Sequence, residues 1–309
     1  MSKSDNLKET ENHISDLNKK CAPTSKYKDG SCFSMDSLKK ITEAYNNKSN
    51  NKIIFNNDKS DVVKQIENKL RKNCDNHTCW LRQDFVKKIN SEKIHKYTFR
   101  PEGPIDKYEW LSTTNINEVI DQYQQKYTNF NFLGAVPIDF DDLPILGICD
   151  LNFEEINQRG VNQLGIVFNL DEHYKDGSHW VALYSDIDKY KVYFFDSYGK
   201  KPDRRIRRLI SRIVKYMYKK KYNKDLSVKS VLEFLKKDKK KLLSNNIVQE
   251  LRSFDVDYNK VRHQYKNSEC GVYSINFILE LLDGKTFDDI TQNKTYDDKM
   301  NENRQKYFR

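Results

Sequence analysis

A cysteine that opens an apolar helix is chemically unlike one inside a core. Cys270 precedes the run Val272, Ile275, Phe277, Ile278, Leu281 and Leu282, so the pattern places its sulfur among the unpaired N–H groups at the positive end of a helix dipole. Both favour thiolate over thiol and make Cys270 a candidate nucleophile. A lone cysteine there is equally a small core residue, so the presence of a base decides. His179 stands just before a strand-like run starting at Trp180, and Asp196 closes a second such run. If residues 187–188 form a two-residue loop, Asp186 opposes Lys189, Leu183 opposes Val192, Trp180 opposes Phe195 and His179 opposes Asp196. Opposed residues of an antiparallel pair share a face, with Cβ atoms about 4.5–5.5 Å apart. In that register Asp196 accepts the His179 Nδ1–H, fixing the tautomer and stabilising the imidazolium of a general base. The plainer alternative is a strand-end histidine touching a turn aspartate, and a bulge would spoil the register. Gln264, six residues before Cys270, can bring a carboxamide N–H to the sulfur as an oxyanion donor beside the Cys270 backbone N–H. Taken singly it is an ordinary polar residue at a strand end.

Other residues suggest other chemistry. Cys74, His77 and Cys79 offer three zinc ligands in a short loop, but a closed structural site needs four. The only upstream cysteines are Cys21 and Cys32, and we read the segment as a helix-terminus loop without metal. Arg204, Arg205, Arg207 and Arg208, with Lys200, Lys201 and residues 219–221, could contact DNA phosphates; a solvated helix face explains them as well. No phosphate-binding glycine loop is present, and nothing calls for a cofactor.

The elements that must position these residues follow from periodicity. Gly and Pro are scarce, so the cluster Arg100-Pro101-Glu102-Gly103-Pro104 is the clearest boundary. It divides an appendage, residues 1–103, from a core, residues 104–309. The appendage is mainly helical, with helices predicted around residues 37–45 and 62–70 and its first two dozen residues disordered. In the core a helix carries Ile116, Val119, Ile120 and Tyr123. Runs at 163–170, 180–184 and 191–195 read as strands. A helix at 204–218 puts Ile206, Leu209, Ile210, Ile213 and Met217 on one face. Helical, lysine-rich sequence fills 219–253, a short strand is expected at 260–265, and a helix at 272–282. Strands flanked by helices on both sides argue an α+β core.

Composition sets outer bounds. The 309 residues suffice for one sizeable domain with an appendage. Lys+Arg 55 against Asp+Glu 45 gives +10, which permits acidic partners without demonstrating them. A mean hydropathy of −0.89 is low, but 12% aromatic residues are too many for a disordered polymer. Without a run of about 18 apolar residues, and with a polar start, the sequence predicts neither a membrane span nor a secretory signal. Six cysteines in so long a chain argue for reduced thiols rather than disulfides.

The ordered set His179-Trp180, Asp196-Ser197, Gln264 and Glu269-Cys270-Gly271 resembles the adenain/Ulp1-like clan of cysteine proteases, whose order is His, then Asp, Asn or Glu, then Gln, then Cys. The string His263-Gln264-Tyr265-Lys266-Asn267-Ser268-Glu269-Cys270-Gly271-Val272-Tyr273-Ser274 is similar above all to the polyprotein-processing branch of large cytoplasmic DNA viruses, the African swine fever virus type. Fainter similarity runs through residues 115–127 and 177–186, Ser31-Cys32, and the Cys74/Cys79 pair. The core resemblance covers residues 105–283. It implies a central mixed sheet flanked by helices, with Cys270 as nucleophile, His179 as base and acid, Asp196 as its orienting carboxylate, Gln264 as oxyanion donor and Trp180 shielding the site. It also implies cleavage after Gly-Gly in virion precursor proteins, action in the virion and host cytoplasm, and DNA or an activating peptide as further partners. Its alternatives are a deconjugase of ubiquitin-like modifiers and a basic DNA-binding packaging protein on an inactive protease fold. The lysine-rich insertion at 219–250 has no counterpart in the family pattern, and Asp196 stands where the viral branch has Asn.

Overall fold

The computed structural model describes residues 20–27, 29–235 and 245–309. Residues 1–19, most of the stretch expected to be disordered, and residues 236–244 of the expected lysine-rich helix lie outside the described residues. The chain divides into two compact units, Met1–Gly103 with Arg304–Arg309, and Pro104–Asn303.

In the first unit, α1 (Met35–Asn46) starts where the Ser34 hydroxyl accepts the Ser37 N–H. Similarly, α2 (Lys59–Leu70) starts where the Asp58 carboxylate accepts the N–H groups of Ser60 and Asp61. Leu38 and Ile41 of α1 and Val62, Ile66 and Leu70 of α2 share one core with Phe33, Trp80 and Phe99. Phe33 stacks on Trp80 with ring centroids 5.5 Å apart. Disulfides join Cys21 to Cys32 and Cys74 to Cys79. The expectation of reduced thiols is thus overturned at four of the six cysteines, leaving Cys149 and Cys270 free. Cys21 is brought into place by an antiparallel bridge to Phe99, a contact between distant parts of the chain that spacing does not encode. The expected boundary also changes at the C-terminus. Arg309 donates its N–H to the Pro101 carbonyl and pairs with Glu102 at 2.9 Å, so the tail belongs with the first unit.

The second unit begins with α3 (Thr113–Lys126), whose start is closed by a Ser112/Asn115 capping box. The strands are β1 (Phe130–Pro137), β2 (Gln163–Asn169), β3 (Trp180–Asp186) and β4 (Lys191–Phe195). Then come α4 (Arg204–Tyr222), α5 (Val228–Leu235), α6 (Asn245–Leu251), β5 (Asp255–Tyr258) and α7 (Cys270–Leu282). The sheet order is β1-β2-β3-β4-β5, with the two outer pairs parallel and the two inner pairs antiparallel. One face of this mixed sheet, carrying Ile166, Phe168, Val181, Leu183 and Phe194, shares a core with Ile206, Leu209, Ile210, Ile213 and Met217 of α4. The opposite face meets α7: Phe195 stacks on Phe277 at 5.0 Å. Coverage on both faces explains why β3 is buried along its whole length.

Two strands differ from expectation. β1 was not legible because Gly134, at φ 101°, sits where its pairing with β2 shifts register and breaks the alternation. The strand expected at 260–265 lies earlier, at Asp255–Tyr258. After Tyr258, the Asn259 side chain replaces ladder bonds by gripping the Asp196 backbone, and the chain leaves the sheet. No helix among the described residues is long and apolar enough to cross a membrane.

Candidate active site

His179 precedes β3, and its Nε2 lies 2.7 Å from Asp196 Oδ1, with both side chains buried. The expected pair is present, but the register that brings it about differs. Ala182 pairs with Phe195 and Asp186 with Lys191, so the loop is four residues, 187–190, with Tyr190 at φ 56°. A shift of two positions keeps every side chain on its original face, so His179 still reaches Asp196 as a diagonal neighbour. The shifted position is taken by Tyr198, whose ring stacks on the imidazole at 4.4 Å. The ring nitrogen facing the carboxylate is Nε2, not the expected Nδ1. This leaves Nδ1 free of the carboxylate, and Cys270 lies near enough to the ring to favour its charged form. Burial opposes the charged ring, but the bonds to Asp196 and Cys270 outweigh it and push the His179 pKa up to about 9.

Cys270 is the first residue of α7 and is 2% exposed. Gly271 beside it packs closely on Leu111, since an added Cβ would lie 3.0 Å from the Leu111 side chain, tighter than ordinary contact. The segment before Cys270 is held by the Asp297 carboxylate, which accepts the N–H groups of Tyr265 and Lys266. Gln264 is fully buried; its Oε1 accepts from the Ser197 hydroxyl at 2.6 Å, and its Nε2 has no hydrogen-bond partner among the described residues. A buried amide donor left unpaired is costly in a resting protein, and it fits a group that acquires its acceptor during a reaction. His263, next to Gln264, is occupied elsewhere: its Nε2 donates to the Thr291 carbonyl at 3.2 Å and its ring packs edge-on against Phe195, while burial lowers its pKa.

Asn259 was not anticipated. Its Oδ1 accepts the Asp196 N–H and its Nδ2 donates to the Asp196 carbonyl, at 2.8 and 2.7 Å, fixing the backbone that carries the carboxylate. Asp196 Oδ1 also accepts the Tyr198 N–H. Together these groups can supply a thiol nucleophile, an anchored base and an oxyanion donor.

Residues 166–309 match the model of the Ulp1 protease family, C-terminal catalytic domain. The chain is 33% identical over 297 residues to a thiol protease of Acanthamoeba polyphaga mimivirus, an alignment covering 90% of this chain and 89% of the relative. The chain belongs to the Ulp1 protease family. It is a viral-type cysteine protease, also 24% identical over 264 residues to the cysteine protease of African swine fever virus, covering 79% of this chain and 86% of that one. The counterpart from a Kenyan isolate of that virus, named a SUMO-1 cysteine protease, is 24% identical over 272 residues, with coverage of 80% and 89%. The crystal structure of the African swine fever virus protease has the same fold, with a TM-score of 0.60 at 20% identity over 94% of this chain and 96% of that one.

In this Ulp1-family protease Trp180 is buried, and its Nε1 donates to the Leu111 carbonyl at 2.9 Å. It lines a cleft of about 440 Å³ with Trp110, Leu111, Asn169 and His173. The four arginines in the first two turns of α4 do not form one surface. Arg205 is paired with Asp141 and Asp142, which removes it from the expected phosphate-contacting set. Arg204, Arg207 and Arg208 line a separate cavity of about 690 Å³ that Phe194 also borders, on the sheet face opposite α7. Cys74 and Cys79, weighed as zinc ligands, are paired with each other.

Proposed function

We propose that this protease is an endopeptidase that cuts after Gly-Gly-type sites in virion precursor proteins, acting in the virion and host cytoplasm. The observation that carries the catalytic assignment is the unpartnered, fully buried Gln264 Nε2 in the same constellation as Cys270, His179 and Asp196. Cys270 gives its proton to His179, and the sulfur bonds to the scissile carbonyl carbon, whose π electrons move to oxygen. Gln264 Nε2–H and the Cys270 backbone N–H hold that oxyanion. As the carbonyl re-forms, the C–N bond breaks and the imidazolium protonates the leaving amine. His179 then takes a proton from water, the hydroxide attacks the thioester, the C–S bond breaks, and the imidazolium returns its proton to the sulfur to restore the thiol. Asp196 stabilises the imidazolium in both halves. Trp180 and the cleft it lines supply the wall for the residues before the cut.

The test is cleavage of a Gly-Gly-X peptide and of a ubiquitin-like modifier fusion by wild type and by Cys270→Ala. Peptide cleavage lost in the variant supports the proposal. Preference for the fusion transfers the assignment to a deconjugase, which the SUMO-1 protease name of the African swine fever virus relative favours. Cleavage of neither by wild type rejects the substrate reading. The proposal includes phosphate contact at Arg204, Arg207 and Arg208, which form no ion pair among the described residues. Duplex DNA affinity that falls steeply with salt and disappears on charge reversal of these three supports it; salt-independent or absent binding removes it.

A further inference from the structure

A glutamine amide has nearly the same shape either way round, and only its hydrogen bonds decide whether N–H or oxygen faces the reaction. At Gln264 that choice rests on a single side chain. The Ser197 hydroxyl donates to Gln264 Oε1 at 2.6 Å and makes no other hydrogen bond among the described residues. Ser197 is 1% exposed, so water does not offer its O–H another acceptor. Turning the amide over would strand that buried donor and point Oε1 at the developing negative charge. The backbone makes the contact rigid: the Ser197 carbonyl accepts the N–H groups of both His263 and Gln264.

We infer that Ser197 is a positioning residue, whose hydroxyl locks the Gln264 amide with its N–H toward the oxyanion. The inference rests on the proposed role of Gln264. It gives adjacent residues complementary tasks: Asp196 orients the base and Ser197 orients the oxyanion donor. The loop after them turns at Gly199, at φ 73°, where an added Cβ would stand 3.0 Å from the Val261 backbone, so a side chain would not fit.

The experiment is a double-mutant cycle read by peptide cleavage and by iodoacetamide alkylation of Cys270, a displacement that develops no oxyanion. Ser197→Ala should lower kcat about ten- to a hundredfold, short of the ~10²–10³ loss on removing an oxyanion donor outright, with KM little changed. It should leave the alkylation rate within about twofold. Adding Ser197→Ala to Gln264→Ala should cost less than about twofold more, because the serine acts through the glutamine. Full multiplication of the two losses, or a parallel fall in alkylation, overturns the inference. If Gln264→Ala is harmless, the role of Gln264 fails; if Gln264→Ala is damaging and Ser197→Ala harmless, only the role of Ser197 fails. Ser197→Cys, close in size with a weaker donor, is the second variant should alanine unfold the protein. It must show the same selective loss of kcat.

Discussion

Replacing Asp196 by Asn removes a buried negative charge from His179 while keeping an oxygen acceptor in the same position. The His179 pKa stands near 9 against an ordinary value of 6.5, although burial works the other way. A rise from 6.5 to about 9 corresponds to roughly 3 kcal/mol favouring the charged ring. Asp196 and Cys270 must supply all of that and offset burial as well. Losing the Asp196 charge should therefore bring the titration down by at least about one unit, a tenfold change in the imidazolium equilibrium. The leaving amine needs that proton, so the alkaline limb of kcat/KM should fall with a midpoint near 9 in wild type and nearer 8 or below in Asp196→Asn. A pH series on a Gly-Gly-X peptide, with NMR titration of the His179 ring, reads the shift directly. An unchanged midpoint would refute the assignment of Asp196 as the charge that holds the imidazolium.

The same shift bears on folding. A pKa raised in the folded state contributes stability that is complete below about 6.5 and is lost as pH rises through about 9. Urea unfolding of wild type relative to His179→Asn should therefore show an advantage that shrinks across this window, and an advantage growing with pH would contradict it. Gln264→Ala should lower kcat by about 10²–10³ without a comparable change in KM, measured by steady-state cleavage. Phe277→Ala removes the ring stacked on Phe195 and should cost roughly 3–5 kcal/mol by denaturant unfolding. Replacing both Cys21 and Cys32 by Ser opens the cross-link between positions separated by 11 residues. It should destabilise the first unit by roughly 2–4 kcal/mol while leaving the Cys270 alkylation rate intact.

Much of the proposed catalytic constellation was legible because its chemistry demands particular side chains at helix and strand ends. Cys270 was readable from the apolar run behind it, and His179 and Asp196 from two flanking strands. The hairpin loop was read two residues too short, yet a shift of two preserves the faces, so the pairing survived the error. Nδ1 and Nε2 could not be told apart from sequence, because ring orientation depends on where Cys270 lies in space. Ser197 stood in plain view beside Asp196, but its bond to Gln264 joins residues 67 positions apart. Asn259 carried no signal, since its side chain stands in for sheet bonds only once β5 has ended. The disulfides were misjudged because whole-chain cysteine density says nothing about one unit, in which all four paired cysteines lie.

Cys270 is the proposed nucleophile, attacking the carbonyl after a Gly-Gly pair. Cys149 is the built-in control, a free thiol whose pKa is raised by its hydrogen bond to Asp150. The deciding measurement treats the full chain with a peptide ending in a Gly-Gly vinyl ester and maps the adduct by mass spectrometry. One adduct is expected, on Cys270, abolished by His179→Ala and slowed by an excess of Gly-Gly-X substrate. An adduct on Cys149 alone, or none on Cys270 in a preparation that cleaves substrate, would contradict that role for Cys270.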